Sequence, residues 1–107
     1  MKNALAVLAV LAFALLACKD SKPAGSCDRR TVEGWESCFD YPKGELESGK
    51  SSCAGANAGT WAEAACNRSG ALGGCKMSTG ITKWFFPGGK HTLESAKLEC
   101  SGEWLTP

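Results

Sequence analysis

Six cysteines, at positions 27, 38, 53, 66, 75 and 100, run through the chain after residue 26, and they constrain its fold more than any other feature. No two of them stand closer than nine positions, and His91 is the only histidine. Zinc sites are instead built from close pairs such as C-x-x-C with histidines at short spacing. An even number of well-separated cysteines in an exported chain reads as a disulfide framework of three bridges. The need for one is physical. A folded part of roughly 80 residues buries too small a core to hold itself together comfortably by burial alone.

Export is read from the start of the chain, MKNALAVLAVLAFALLACKD. A single early lysine, Lys2, precedes an uncharged apolar run of 14 residues, Ala4 to Ala17. A helix of that length reaches only about two thirds of the way across a hydrocarbon core of ~30 Å. A basic start, an apolar middle and a small residue before a cut site make an export signal, so residues 1–17 are assigned to a signal peptide. The letters Leu15-Leu16-Ala17-Cys18 resemble the lipobox of bacterial lipoproteins. The resemblance implies that Cys18 is lipidated on sulfur and becomes the first residue after cleavage, and two or more acyl chains suffice for stable anchoring. An ordinary cleavable signal with an incidental Cys18, or an uncleaved anchor, are the alternatives. Lys19 to Ser26 are polar and hold Pro, Gly and Ser, so residues 18–26 read as the lipidated cysteine and a flexible tether. The stapled domain is then 27–107.

Within that domain nearly the same phrase is written twice: LESGKSSC from Leu46 and LESAKLEC from Leu93. Each copy follows an aromatic stretch ending in proline, Phe39-Asp40-Tyr41-Pro42 and Trp84-Phe85-Phe86-Pro87. Each is followed by glycine, one residue and tryptophan, Gly59-Thr60-Trp61 and Gly102-Glu103-Trp104. The shared order predicts an internal repeat of units 27–61 and 75–104. In each unit, β-branched and aromatic residues surround a glycine, Gly34 or Gly80, as in a hairpin or bent strand. The octet places its leucine, its Gly49 or Ala96 and its cysteine on one helical face. Thr92 is a candidate N-cap. The expected fold class is therefore α+β: a small disulfide-rich domain of two tandem strand-or-hairpin and helix units. Symmetry favours the bridges Cys27–Cys53 and Cys75–Cys100, with Cys38 paired to Cys66; a Cys66–Cys75 pairing is the rival among 15 connectivities.

Chemistry is harder to find. Removing residues 1–17 takes away Lys2 and leaves 11 basic residues against 11 acidic ones, so the domain is formally neutral. That argues against a nucleic-acid partner, which needs a clustered basic face. Arg29-Arg30, the only basic doublet, reads as a solvated loop beside Asp28. His91, next to Gly88-Gly89, reads as a solvated histidine, Gly73-Gly74 as a turn, and Glu45, Glu47, Glu94 and Glu99 as surface positions. No redox motif, phosphate loop or catalytic constellation is recognisable, and no metal or other cofactor is called for. Trp61 and Trp104 read as aromatic covers of the helix ends. The strand Trp84-Phe85-Phe86 is a candidate contact surface if one of its faces is exposed.

Lipobox, six further cysteines and the repeated cysteine, glycine and tryptophan spacing together resemble the small cysteine-rich bacterial lipoproteins of unknown function. The resemblance implies a place, the cell envelope at the inner or outer membrane facing periplasm or exterior, and no activity. The leading expectation is a non-enzymatic, lipid-anchored binding or structural module, its partners the membrane through the lipid and an envelope protein or glycan. The alternative is a freely secreted disulfide-rich effector or inhibitor that works through an exposed aromatic strand.

Overall fold

A computed structural model describes residues 22–55 and 58–107; residues 1–21, with the expected signal peptide, Cys18 and the expected start of the tether, lie outside the described residues. The chain is α+β and disulfide-rich. It runs through β1 (Pro23–Asp28), β2 (Ser37–Pro42), a single 3-10 turn (Lys43–Glu45), α1 (Leu46–Cys53), β3 (Thr60–Ala62), β4 (Gly73–Lys76), β5 (Thr82–Phe85), α2 (Leu93–Glu99) and β6 (Glu103–Leu105). The six strands form one sheet in the order β3-β1-β2-β5-β4-β6. Every neighbouring pair is antiparallel.

Local chemistry accounts for most of these elements. The β4–β5 hairpin turns at Gly80, whose φ of 89° suits a residue without a side chain. β2 ends at Pro42, which has no N–H to give to a ladder. Thr92 begins α2 with a reciprocal cap: its Oγ1 accepts from Ser95 N at 3.1 Å, and Ser95 Oγ accepts from Thr92 N at 2.9 Å. Neither helix, at 8 and 7 residues, would persist alone in water, so packing and sulfur hold them.

The sheet's pleat sorts side chains into rows. On one face Trp61, Cys27, Phe39, Lys83, Cys75 and Trp104 are successive cross-strand partners from edge to edge. Both helices cover this face. α1 closes over Cys27 and Tyr41 through its own buried Cys53, and α2 over Cys75 and Phe85 through its buried Ala96. On the other face Cys38, Cys66, Trp84 and Phe86 form a second layer of core, with Ala71 and Leu105 against it. The segment from 63 to 72 supplies its cover. Fully burying a large apolar side chain stabilises by ~1.5–3 kcal/mol.

The bridges are Cys27–Cys53, Cys38–Cys66 and Cys75–Cys100, the pairs that the symmetrical scheme gives and not its Cys66–Cys75 rival. The first ties β1 to the end of α1, and the third ties β4 to the residue after α2. The second ties β2 to the segment before β4. Sequence separations of 26, 28 and 25 residues make each worth ~3 to 4 kcal/mol in the chain-entropy account.

Three expectations need correction here. A flexible tether reaching to Ser26 does not fit the fold: β1 begins at Pro23, and Gly25 and Ser26 are buried in it beside β2. Gly73-Gly74 is not a turn but the start of β4. A Cβ on Gly74 would meet the Trp84 ring at 2.7 Å, so glycine is there to admit an indole. Trp84, Phe85 and Phe86 are 3%, 1% and 6% exposed, so they form no exposed aromatic face. Their alternation does send Phe85 to the helix side and the other two to the opposite side, but both sides are covered.

Candidate functional site

Directly beneath the segment 63–72, the sheet carries a row of polar residues. Ser26, Asp40, Thr82 and Lys76 are successive cross-strand partners on β1, β2, β5 and β4, so all four point to the face away from the helices. Ser26, Asp40 and Thr82 are buried. Above Asp40, Thr82 and Lys76 lies a crevice of about 180 Å³, closed by Trp84, Arg68, Ala65 and Leu105 on one side and by Pro23, Pro42 and Gly80 on the other.

Its geometry is fixed by a closed circuit of bonds. β2 places Cys38 and Asp40 two residues apart, hence on one face. Cys38 holds Cys66 by a disulfide, and Asp40 Oδ1 accepts from the Cys66 N–H at 2.7 Å. Two residues later a short turn, in which Asn67 Oδ1 accepts from Ser69 N and Arg68 O accepts from Ala71 N, sets the direction of Arg68. Its guanidinium lies over the Trp84 ring, 4.9 Å from the centroid. Trp84 Nε1–H in turn donates to Asp40 Oδ2 at 2.9 Å, which completes the circuit.

The electrostatics follow. Both Asp40 oxygens are engaged by N–H donors that the backbone and the indole hold in place, so the carboxylate faces its own supports and not Arg68. Among the described residues, the ion pairs include neither Arg68 nor Lys76. Two cations and one carboxylate therefore bound the crevice, with a net charge of one positive unit.

The helix face holds a second polar group, and it corrects the reading of His91 as solvated. The His91 side chain is 1% exposed. Its Nε2 lies 3.2 Å from Trp35 O, its ring stands edge-on to Phe85 at 4.9 Å, and its Nδ1 is 4.0 Å from Glu99 Oε2. A carbonyl can only accept, so Nε2 carries a proton. Lys83 Nζ meets Glu99 Oε1 at 3.0 Å and lies over Phe85 at 4.8 Å. Burial pushes the Glu99 carboxyl up, but the Lys83 hydrogen bond and the charges of Lys83, His91 and Lys90 outweigh it and leave it below its ordinary value. Arg29 is likewise buried, contrary to the solvated doublet: its Nη2 donates to Ser52 O at 2.6 Å, and its guanidinium covers Trp35 and Phe39 at 5.0 and 5.5 Å. Arg30 is the exposed partner of Asp28, at 2.7 Å.

Of the residues singled out in sequence, the six cysteines are brought together as bridges, Trp84 becomes a wall of the crevice, and Phe85 and Phe86 are core. Cys18 lies outside the described residues. Asp40, Thr82, Lys76 and Arg68 were missed. Asp40 alone carried a signal, as a carboxylate set inside an aromatic strand. The bridged sulfurs are not available as thiolates for zinc. Among the described residues no helix is long and apolar enough to cross a membrane. Comparison with protein-family models, with curated proteins and with solved structures found no match.

Proposed function

We propose that this chain is a lipid-anchored extracytoplasmic module of a bacterial envelope that binds a ligand in the crevice above Asp40 and performs no chemistry on it. The observation that carries the anchoring is arithmetic. The chain has seven cysteines, and the six in the domain pair with one another, which leaves Cys18 as the odd sulfur. An odd cysteine in an exported protein needs an explanation, and acylation at the end of Leu15-Leu16-Ala17-Cys18 supplies one. Three disulfides fit an extracellular or otherwise oxidising environment.

The domain would sit close to its membrane. Only Lys19 to Lys22 separate Cys18 from the start of β1, so the five steps from Cys18 to Pro23 span at most ~18 Å when fully extended.

An internal duplication belongs to the same proposal. Several matches support it: Cys27 and Cys75 each pair across to an edge-strand tryptophan, Trp61 or Trp104, and are each bridged to a helix end. Tyr41 and Phe85 each meet that tryptophan's ring, at 5.8 and 6.0 Å. Cys38–Cys66 has no counterpart, and it is the bridge that builds the crevice. On this reading a symmetrical scaffold was made asymmetric where it binds.

The test of anchoring is fractionation of cells making the parent and Cys18→Ala. Membrane association of the parent and its loss in the variant are expected. Equal partitioning of the two, or a parent found free in the medium, would sink the lipid anchor and favour a secreted domain.

A further inference from the structure

On the reading of the crevice as a binding site, we infer that its ligand is a small hydroxy-acid monoanion, either free or as the uronic-acid residue of a glycan. The polar groups select this chemistry by charge and by hydrogen-bonding capacity. The Arg68 guanidinium lies over Trp84 and enters none of the ion pairs among the described residues, so its N–H donors remain for a planar acceptor. A carboxylate matches that fork with two parallel bonds. Lys76 stands across the row from it as a second donor, with Glu103 on the neighbouring edge strand outside the crevice.

The floor asks for hydroxyls. A carboxylate has about four lone-pair sites, and Asp40 gives one on each oxygen to Trp84 and Cys66. Acceptor capacity is left for a hydroxyl beside the ligand's carboxylate, and Thr82, its cross-strand partner, both donates and accepts. A neutral sugar would leave the crevice's one unit of positive charge unbalanced. A zwitterionic amino acid adds no net charge and would leave the positive unit in place. A hydroxy-acid meets both demands. The volume, about 180 Å³, is enough to seat a small ligand.

The experiment follows the Trp84 indole N–H, which reports on the floor directly, by ¹⁵N correlation spectra of the full mature protein, in detergent micelles where it is lipidated. The signal is assigned by its absence in Trp84→Phe. D-glucuronate, D-glucose and a glucuronate-terminated disaccharide are titrated in turn. The expected result is a saturable shift with glucuronate, none with glucose, and binding weakened about tenfold or more in Arg68→Gln and Lys76→Gln, with the other indole signals unmoved. A disaccharide that binds more tightly assigns the ligand to a glycan; one that binds equally or less tightly assigns it to the free acid. No shift with glucuronate, equal shifts with glucose, or full affinity in both variants overturns the inference. Cys18-dependent membrane partitioning would survive that result, so the two readings fail separately.

Discussion

Trp84 and Asp40 are joined side chain to side chain across β5 and β2, at 2.9 Å, while the second oxygen of the same carboxylate holds the backbone N–H of Cys66 at 2.7 Å. One buried acid thus fastens a core indole and the segment that covers it. Replacing it by an amide keeps the shape and spoils the match, because one of the two N–H donors then faces an NH₂ group. Asp40→Asn should lose ~1–3 kcal/mol in urea unfolding. Amide exchange at Cys66 should also accelerate well beyond that at Cys75, and equal acceleration at the two would show a global loss and not the local one expected.

Removing the asymmetric bridge should act differently from removing a helix bridge of similar length. Cys38→Ala/Cys66→Ala and Cys75→Ala/Cys100→Ala open loops of 28 and 25 residues. Each should cost ~3 to 4 kcal/mol, or on the order of 12–30 °C in melting temperature for a domain this small. Only the first should move the Trp84 indole resonance, since only that bridge positions Arg68. A matching shift in the second variant would contradict the circuit.

The two helices start differently, and that asymmetry is measurable. α2 has the Thr92–Ser95 capping box, while the residue before α1, Glu45, makes no side-chain cap. Thr92→Ala should destabilise by ~1 kcal/mol. Glu45→Ala should stay within about 0.5 kcal/mol of the parent. Equal losses in thermal melts would mean that the cap adds nothing.

Gly49 and Ala96 occupy the same place in the two octets, yet their surroundings are not interchangeable. A Cβ on Gly49 would meet the Tyr41 ring at 2.7 Å, whereas Ala96 is 0% exposed and already fits against its own neighbours. Gly49→Ala should therefore lose ~1–3 kcal/mol by overpacking despite alanine's better helix propensity. A stabilised variant in chemical denaturation would show that Tyr41 moves aside freely.

Acid should find the Lys83–Glu99 pair. A carboxyl held below its ordinary value of 4.5 in the fold contributes stability above that value, and the contribution is lost as pH falls through the folded pKa. The Glu99 side chain is 46% exposed, so the effect is small and shrinks with salt. At low ionic strength, Glu99→Gln should flatten the stability curve between about pH 5 and pH 3. An unchanged acid limb would remove the pair from the account.

Where the sequence was legible, local rules dominated. Cysteine spacing and the doubled octet led to the bridges and helices, and Thr92 to its cap, because each depends on residues a few positions apart or on covalent arithmetic. The failures have a common physical source in what lies on top. Nothing in the aromatic stretch Trp84-Phe85-Phe86 tells that its far side is covered by residues 63–72, a segment with no periodicity. Arg29 and His91 look solvated by type, and they are buried because aromatic rings and backbone carbonyls receive them. Gly73-Gly74 has the letters of a turn, and only the ring resting on Gly74 explains a strand. The crevice depends on pairing across four strands and on one turn, so its residues, scattered from Asp40 to Thr82, have no shared spacing to betray them.

The sheet ends at each side in a strand of three residues, Thr60–Ala62 and Glu103–Leu105. So short a border exposes few free amide and carbonyl groups, too few to template a further strand from a neighbouring molecule. Many copies confined to one surface could then stand shoulder to shoulder without zipping into a continuous fibre, a tolerance of crowding that comes from the borders of the sheet and not from its charge.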